Sequence, residues 1–153
     1  MKITPLSAVG AEVTEVDVTV LTAVQDAQLK AAFAQHGLLI FRDQDLTEAD
    51  HIGLAERWGQ INTNRFFKAH ADYPQIALVD KTPDQIQNIG GDWHTDHSYD
   101  QVPALGSILV AQVLPETGGD TWFASMYRAF DQLSDGLKTL LLTLNAVHSA
   151  KHV

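Results

Sequence analysis

The chain has 153 residues, 45 % of them hydrophobic and 19 % charged, which is enough to bury one core and too few for two, so a single domain over 1–153 is expected. Nineteen acidic against ten basic residues give a net charge of −9, which argues against nucleic acid or an anionic membrane as a partner. Cysteine is absent, so disulfides, thiolate metal sites and a Cys nucleophile are excluded, and any metal must rest on His, Asp or Glu.

Residues 13–20 alternate as Val-Thr-Glu-Val-Asp-Val-Thr-Val and predict a half-buried strand. Thr22 and Gln25 make a capping-box pattern, opening a helix from about Ala23 that buries Leu29, Ala32 and Phe33 and stops at Gly37. Residues 38–41 predict a short apolar strand. A second box, Thr47 with Asp50, opens a helix to about Trp58 and Gly59, with Ala49, Ile52 and Ala55 along one side. Residues 76–79 read as a strand and 82–91 as a polar loop. The run 105–114 predicts a buried strand, PETGGD at 115–120 a tight turn, and 121–124 a returning strand. Two helices are expected at 125–133 and 137–144; in the second, Leu137, Leu140, Leu141 and Leu144 follow the i, i+3, i+4, i+7 pattern. No run approaches the roughly 20 apolar residues of a membrane span. Pro5, Gly10 and Glu12 interrupt the N-terminus where a signal peptide needs an unbroken apolar stretch, so a cytoplasmic protein is expected.

The residues able to carry chemistry are histidines and carboxylates. On a strand, a His-x-Asp pair points both side chains to one face, because side chains alternate with a period of two. An imidazole and a carboxylate then hold two adjacent positions of a metal. A second His from elsewhere completes a facial triad suited to ferrous iron, with three positions open. With seven His and fourteen Asp in the chain, one such pair is an ordinary coincidence; there are two, His70-Ala71-Asp72 and His94-Thr95-Asp96. Context separates them. The second pair follows Trp93 and a polar loop, and precedes an apolar run and then Gly118-Gly119-Asp120-Thr121, with Thr121 standing 25 positions after Asp96.

This joint pattern resembles the taurine catabolism/2,4-dichlorophenoxyacetate (TauD/TfdA) family of Fe(II)- and 2-oxoglutarate-dependent dioxygenases. The stretches that carry the resemblance are GGDWHTDHSY at 90–99, PALGSILVAQVLPETGGDTWFASMYRAFDQLSDGLK at 103–138, AVHSA at 146–150 and GLLIFRDQDLT at 37–47. The resemblance implies an α+β fold carrying part of a double-stranded β-helix (jelly-roll, cupin-like) with flanking helices, ending before the closing strands. It implies His94 and Asp96 as iron ligands, and Thr121 as a hydroxyl donor to a carboxylate of the cosubstrate 2-oxoglutarate. Trp93 would wall the pocket, while Gly118 and Gly119 would bring Thr121 close to the metal without a Cβ clash. Molecular oxygen and a small organic substrate, in such a family often an anionic one, are the other expected partners, and oligomerisation is one way to cover unpaired strand edges. The family's second half supplies the distal His and the Arg that pairs with the far carboxylate. This chain matches the N-terminal half, and none of Arg42, Arg57, Arg65 and Arg128 falls at the anchoring position. His148 and His152 match a segment whose histidines are not ligands.

Plainer readings stand beside these. His97, offset by one from Asp96, reads as structural or as a support behind a metal ligand; His36, next to Phe33, as a helix-end histidine; and His51 as an exposed helix residue. His70-Ala71-Asp72 with Tyr73 reads as a solvated loop, the alternative being a substrate-pocket wall. Besides the dioxygenase, two other functions are open: a non-catalytic family member that presents an apolar face to a partner, and a hydrolase whose metal on His94 and Asp96 activates water.

Overall fold

The computed structural model describes residues 1–86 and 90–149. It divides into two units: Met1–Asp45 with Ala111–Ala146, and Leu46–Val110 with Val147–Val153.

In the first unit, β1 (Lys2–Pro5) and β2 (Ala11–Thr14) pair antiparallel, and β3 (Leu39–Phe41) adds in parallel to β2, giving the order β1-β2-β3. The crossover from β2 to β3 carries α1 (Ala23–His36), as a parallel connection requires. The ladder begins tightly: Ala11 N–H donates to Leu38 O at 2.9 Å, and a Cβ at Gly10 (φ +93°) would stand 3.1 Å from Leu38 atoms. Both ends of α1 follow the sequence. Thr22 and Gln25 close the capping box, and Gly37 (φ 74°) takes the left-handed C-cap. The core is Ala11, Val13, Val18, Leu21, Leu29 and Ala32; Phe33 is half-buried.

The strand expected at 13–20 ends at Thr14. Glu15 turns left-handed (φ 56°), and Asp17 accepts from Thr19 N and Oγ1, capping a 3₁₀ turn at Val18–Val20. Gln44 holds this bend, accepting from Val18 N at 3.0 Å and donating to Val16 O at 3.0 Å. Alternation in sequence is overridden here by a local Asp–Thr cap that competes for the backbone donors.

In the second unit, α2 (Glu48–Trp58) opens at the Thr47–Asp50 capping box, and β4 (Lys68–Ala69) pairs antiparallel with β5 (Ala77–Leu78). The inner face of α2 follows expectation in part: Ile52 and Ala55 are half-buried, but Ala49 is exposed and Leu54 is the buried residue. Half-buried His51, Ala55 and Trp58 share a helical stripe with Leu54, because Leu and Trp bring more apolar area than Ala. His51 is accordingly not free: its Nε2 lies 3.1 Å from Ile108 O.

The helices expected late in the chain form as α3 (Met126–Asp131), capped by Ser125, and α4 (Asp135–Leu141), capped by Ser134. Arg128 donates to the carbonyl of Ala8. The two expected strands at 105–114 and 121–124 do not form: no ladder among the described residues includes them, and their apolar side chains are largely exposed. A strand pattern specifies an apolar face but not a neighbour, and without a hydrogen-bonding neighbour no strand results. The structure is thus mixed helix and strand, with no closed barrel among the described residues. No helix among them is long and apolar enough to cross a membrane.

Candidate metal centre

His94 and Asp96 belong to the second unit and lie in irregular backbone rather than in a strand. They nonetheless face one another, with His94 Nε2 3.2 Å from Asp96 Oδ1 and both side chains more than half exposed. His94 Nδ1 lies 2.7 Å from Asp92 O. A carbonyl only accepts, so Nδ1 carries the proton, and in the neutral ring Nε2 is left with a lone pair. That lone pair meets a carboxylate oxygen, and two acceptors at this distance call for a proton or a cation between them. Metal-bound histidines are oriented in this way, through the second ring nitrogen.

The spacing suits a cation. Donors about 2.1 Å from a metal on adjacent corners stand about 3 Å apart. On the other side of the carboxylate, Ser107 Oγ donates weakly to Asp96 Oδ2 at 3.4 Å. Behind the imidazole sits Gly90 (φ +64°), where an added Cβ would press on His94 Cε1 at 3.1 Å. The sequence reading passed over Gly90, Asp92 and Ser107, although the Gly-Gly doublet at 90–91 was a signal of close backbone approach. Among the described residues, no group of three His, Asp or Glu able to hold a metal is present.

The other singled-out residues fall elsewhere. Thr121 is in the first unit, exposed, beside an open depression that it lines with Asp120, Trp122 and Phe123. Gly118 and Gly119 are both left-handed (φ 76° and 74°). The close approach that glycine permits at 119 is to Pro115, whose Cγ a Cβ would meet at 3.1 Å. Trp93 is 70 % exposed. His148 Nδ1 pairs with Ser98 Oγ at 2.7 Å, while His152 and part of the expected 82–91 loop, at 87–89, lie outside the described residues. His70 Nδ1 accepts from the backbone N–H of Asp72 and Tyr73, capping the turn between β4 and β5. His97 faces Asn64 and Asp100, not the pair.

The comparisons with known proteins agree on a class, the α-ketoglutarate-dependent dioxygenases. The (S)-phenoxypropionate/alpha-ketoglutarate-dioxygenase of Sphingobium herbicidovorans is 35 % identical over 151 residues, covering 96 % of this chain and 53 % of that one. The alpha-ketoglutarate-dependent sulfonate dioxygenase of Saccharomyces cerevisiae is 29 % identical over 161 residues, covering 98 % of this chain and 39 % of its own length. A taurine dioxygenase crystal structure from Burkholderia xenovorans superposes with a TM-score of 0.80 at 29 % identity, over 92 % of this chain and 50 % of that one. The crystal structure of AAD-2 in complex with Mn(II) and N-oxalylglycine gives a TM-score of 0.69 at 26 % identity, over 93 % of this chain and 50 % of its own. The profile of the taurine catabolism dioxygenase TauD, TfdA family matches residues 2–153, and the chain belongs to that family. It spans about half the length of the curated relatives named here, or less.

Proposed function

We propose that this chain is the N-terminal half of an Fe(II)- and 2-oxoglutarate-dependent dioxygenase domain, which hydroxylates a small, anionic organic substrate and releases succinate and CO2. The observation that carries this reading is the His94 Nε2–Asp96 Oδ1 separation of 3.2 Å, with the Nδ1 proton already committed to Asp92 O. Relatives named for phenoxypropionate and sulfonate support the substrate class. The Mn(II) and N-oxalylglycine held by AAD-2 support a metal together with a dicarboxylate.

His94 and Asp96 would hold ferrous iron, which when bound would activate O2, with 2-oxoglutarate as the two-electron reductant that leaves as succinate and CO2. The protein's own contribution is orientation. Asp92 O fixes the His94 tautomer, and Ser107 steadies the far carboxylate oxygen of Asp96. Thr121 would donate its hydroxyl to a carboxylate of 2-oxoglutarate. In this reading the exposed apolar run at 105–123 is one part of a double-stranded β-helix whose closing strands come from the second half, along with a third ligand and an anchoring Arg. A second reading, a non-catalytic protein that presents this run to a partner, draws on the same exposure, with Leu109 72 % and Val113 91 % exposed.

Anaerobic titration with Fe(II) and 2-oxoglutarate tests the proposal, using the 153-residue chain and the chain extended by the second half of the Sphingobium relative. A saturable visible charge-transfer band in the anaerobic extended protein, and succinate formation once O2 is admitted, both lost in His94→Ala, are expected. An extended protein that folds yet shows neither would overturn the dioxygenase reading in favour of the second.

A further inference from the structure

The His94–Asp96 pair is more than half exposed and sits in backbone without regular structure, so something beyond packing must keep its members opposed. Immediately after Asp96 the chain does something unusual. His97 adopts φ 51°, left-handed backbone that is unfavourable for a residue carrying a Cβ and that persists where the surroundings enforce it. From there the chain turns at once, with Asp100 N–H donating to His97 O at 3.0 Å.

The enforcing contacts form an unbroken hydrogen-bond chain of one polarity. The backbone N–H groups of Phe66 and Phe67 donate to Asn64 Oδ1 at 2.8 and 3.2 Å, which fixes which end of that amide is oxygen. Its Nδ2 is thereby turned to His97 Nε2 at 3.3 Å, and His97 Nδ1 faces Asp100 Oδ2 at 3.2 Å. An amide donor on Nε2 leaves the ring proton on Nδ1, where the carboxylate accepts it. Asp100 is held in turn by Arg65 Nη2 at 2.6 Å on its other oxygen. The His97 ring is only 15 % exposed and tilts against Tyr99 at 5.7 Å between centroids. A neutral imidazole satisfied at both nitrogens and anchored 33 residues away in sequence is a stiffer tether than the pair has of its own.

We infer that His97 is a positioning residue whose doubly hydrogen-bonded ring fixes the backbone directly after Asp96 and so holds that carboxylate opposite His94. The inference concerns the geometry of the pair; only its consequence for a cation rests on the function proposed above. Sequence reading could place His97 off the metal face, but the partners Asn64 and Asp100 carry no local signature.

The test uses the full 153-residue chain, without metal, and proton NMR that reads the nuclear Overhauser contact between the His94 ring and the Asp96 Cβ protons. In the wild type this contact should be present. His97→Ala should largely remove it, and Asp100→Ala, which keeps the ring but removes its acceptor, should move it the same way. His97→Asn, which tolerates left-handed backbone and keeps a donor where Nδ1 stood, should retain most of the wild-type contact. His97→Gly relieves the backbone but deletes the ring, so it should behave like the alanine variant. A His94–Asp96 contact unchanged in His97→Ala and Asp100→Ala, or a wild-type contact in His97→Gly, would overturn the inference. Line broadening at residues 94–96 by added Mn(II) then reads the consequence: affinity about 10-fold weaker in His97→Ala than in the wild type is expected. Wild-type protein with no broadening there would count against the cation role of the pair, while the contact measurement still decides the tether.

Discussion

Residues 1–45 and residues 105–124 both carry strand patterns on paper, and they end up in opposite conditions. In the first stretch Val13 and Leu29 are fully buried; in the second Leu109 is 72 % and Val113 91 % exposed. The difference lies in partners rather than in propensity. β2 has β1 on one side and β3 on the other, both supplied within 45 residues, whereas the 105–124 run finds no strand among the described residues to pair with. The largest effect that tests this contrast is a pair of truncations. Leu29→Ala should cost about 3 kcal/mol, since it deletes a fully buried side chain and leaves a cavity. Leu109→Ala should cost less than about 0.5 kcal/mol, because its side chain is already in water. Urea unfolding of both variants measures this. Comparable losses would mean that the 105–124 run is packed in solution, and a cost for Leu109→Ala that rises once the second half is appended would identify what covers it.

Two left-handed glycines sharpen the same contrast at the level of a single atom. Gly37 (φ +74°) caps α1 with open space where a Cβ would go; Gly90 (φ +64°) has His94 in that space at 3.1 Å. Gly37→Ala should therefore cost about 1 kcal/mol of stability, the left-handed penalty alone. Gly90→Ala should add a displacement of the His94 ring. Its expected signature is a changed His94 imidazole resonance together with Mn(II) binding about 10-fold weaker, as for loss of an orienting neighbour. A Gly90 variant whose only change is thermal stability would show that the imidazole swings aside without consequence.

What was legible in the sequence divides along the same line. The helices were legible because their instructions are local. Thr22 with Gln25, Thr47 with Asp50, Ser125 and Ser134 each satisfy orphan N–H groups within three residues of themselves. The runs that became β3 and β5 were legible as short apolar strands, but β1 went unread and no pairing was foreseen, and the bend after Thr14 was hidden because Asp17 and Gln44 act on it from 3 and 30 residues away. At the candidate site, the mutual approach of His94 and Asp96 followed from residue spacing, but its expected cause, strand alternation, did not. Backbone at Gly90 and His97 and a carbonyl at Asp92 set the geometry instead. The Asn64–His97–Asp100 chain was illegible for the same reason that the 105–114 strand was overcalled: both depend on what a residue meets far along the chain.

The smallest expected effect separates two carboxylates, one from each unit. Asp17 is held below the usual range by the Thr19 hydroxyl and then by the Thr19 backbone N–H. For Asp100 the largest single influence is desolvation, which raises the value. It is outweighed by the His97 hydrogen bond, the charge of Arg65 and the hydrogen bonds from Asn62 and Arg65, so the net direction is again down. Both groups therefore favour the folded state above the unfolded carboxylate value of about 3.9, and lose that contribution as the pH falls through their lowered folded values. The causes differ, and salt tells them apart. Raising ionic strength to about 1 M shortens the screening length to about 3 Å, which weakens the attraction of Arg65 but leaves a neutral hydroxyl donor untouched. Carboxyl NMR titrations in low and high salt should show the Asp100 midpoint rising while that of Asp17 stays in place. Equal movement of the two would mean that Asp100, like Asp17, is set by neutral hydrogen bonds alone, and that Arg65 contributes geometry to the turn rather than charge.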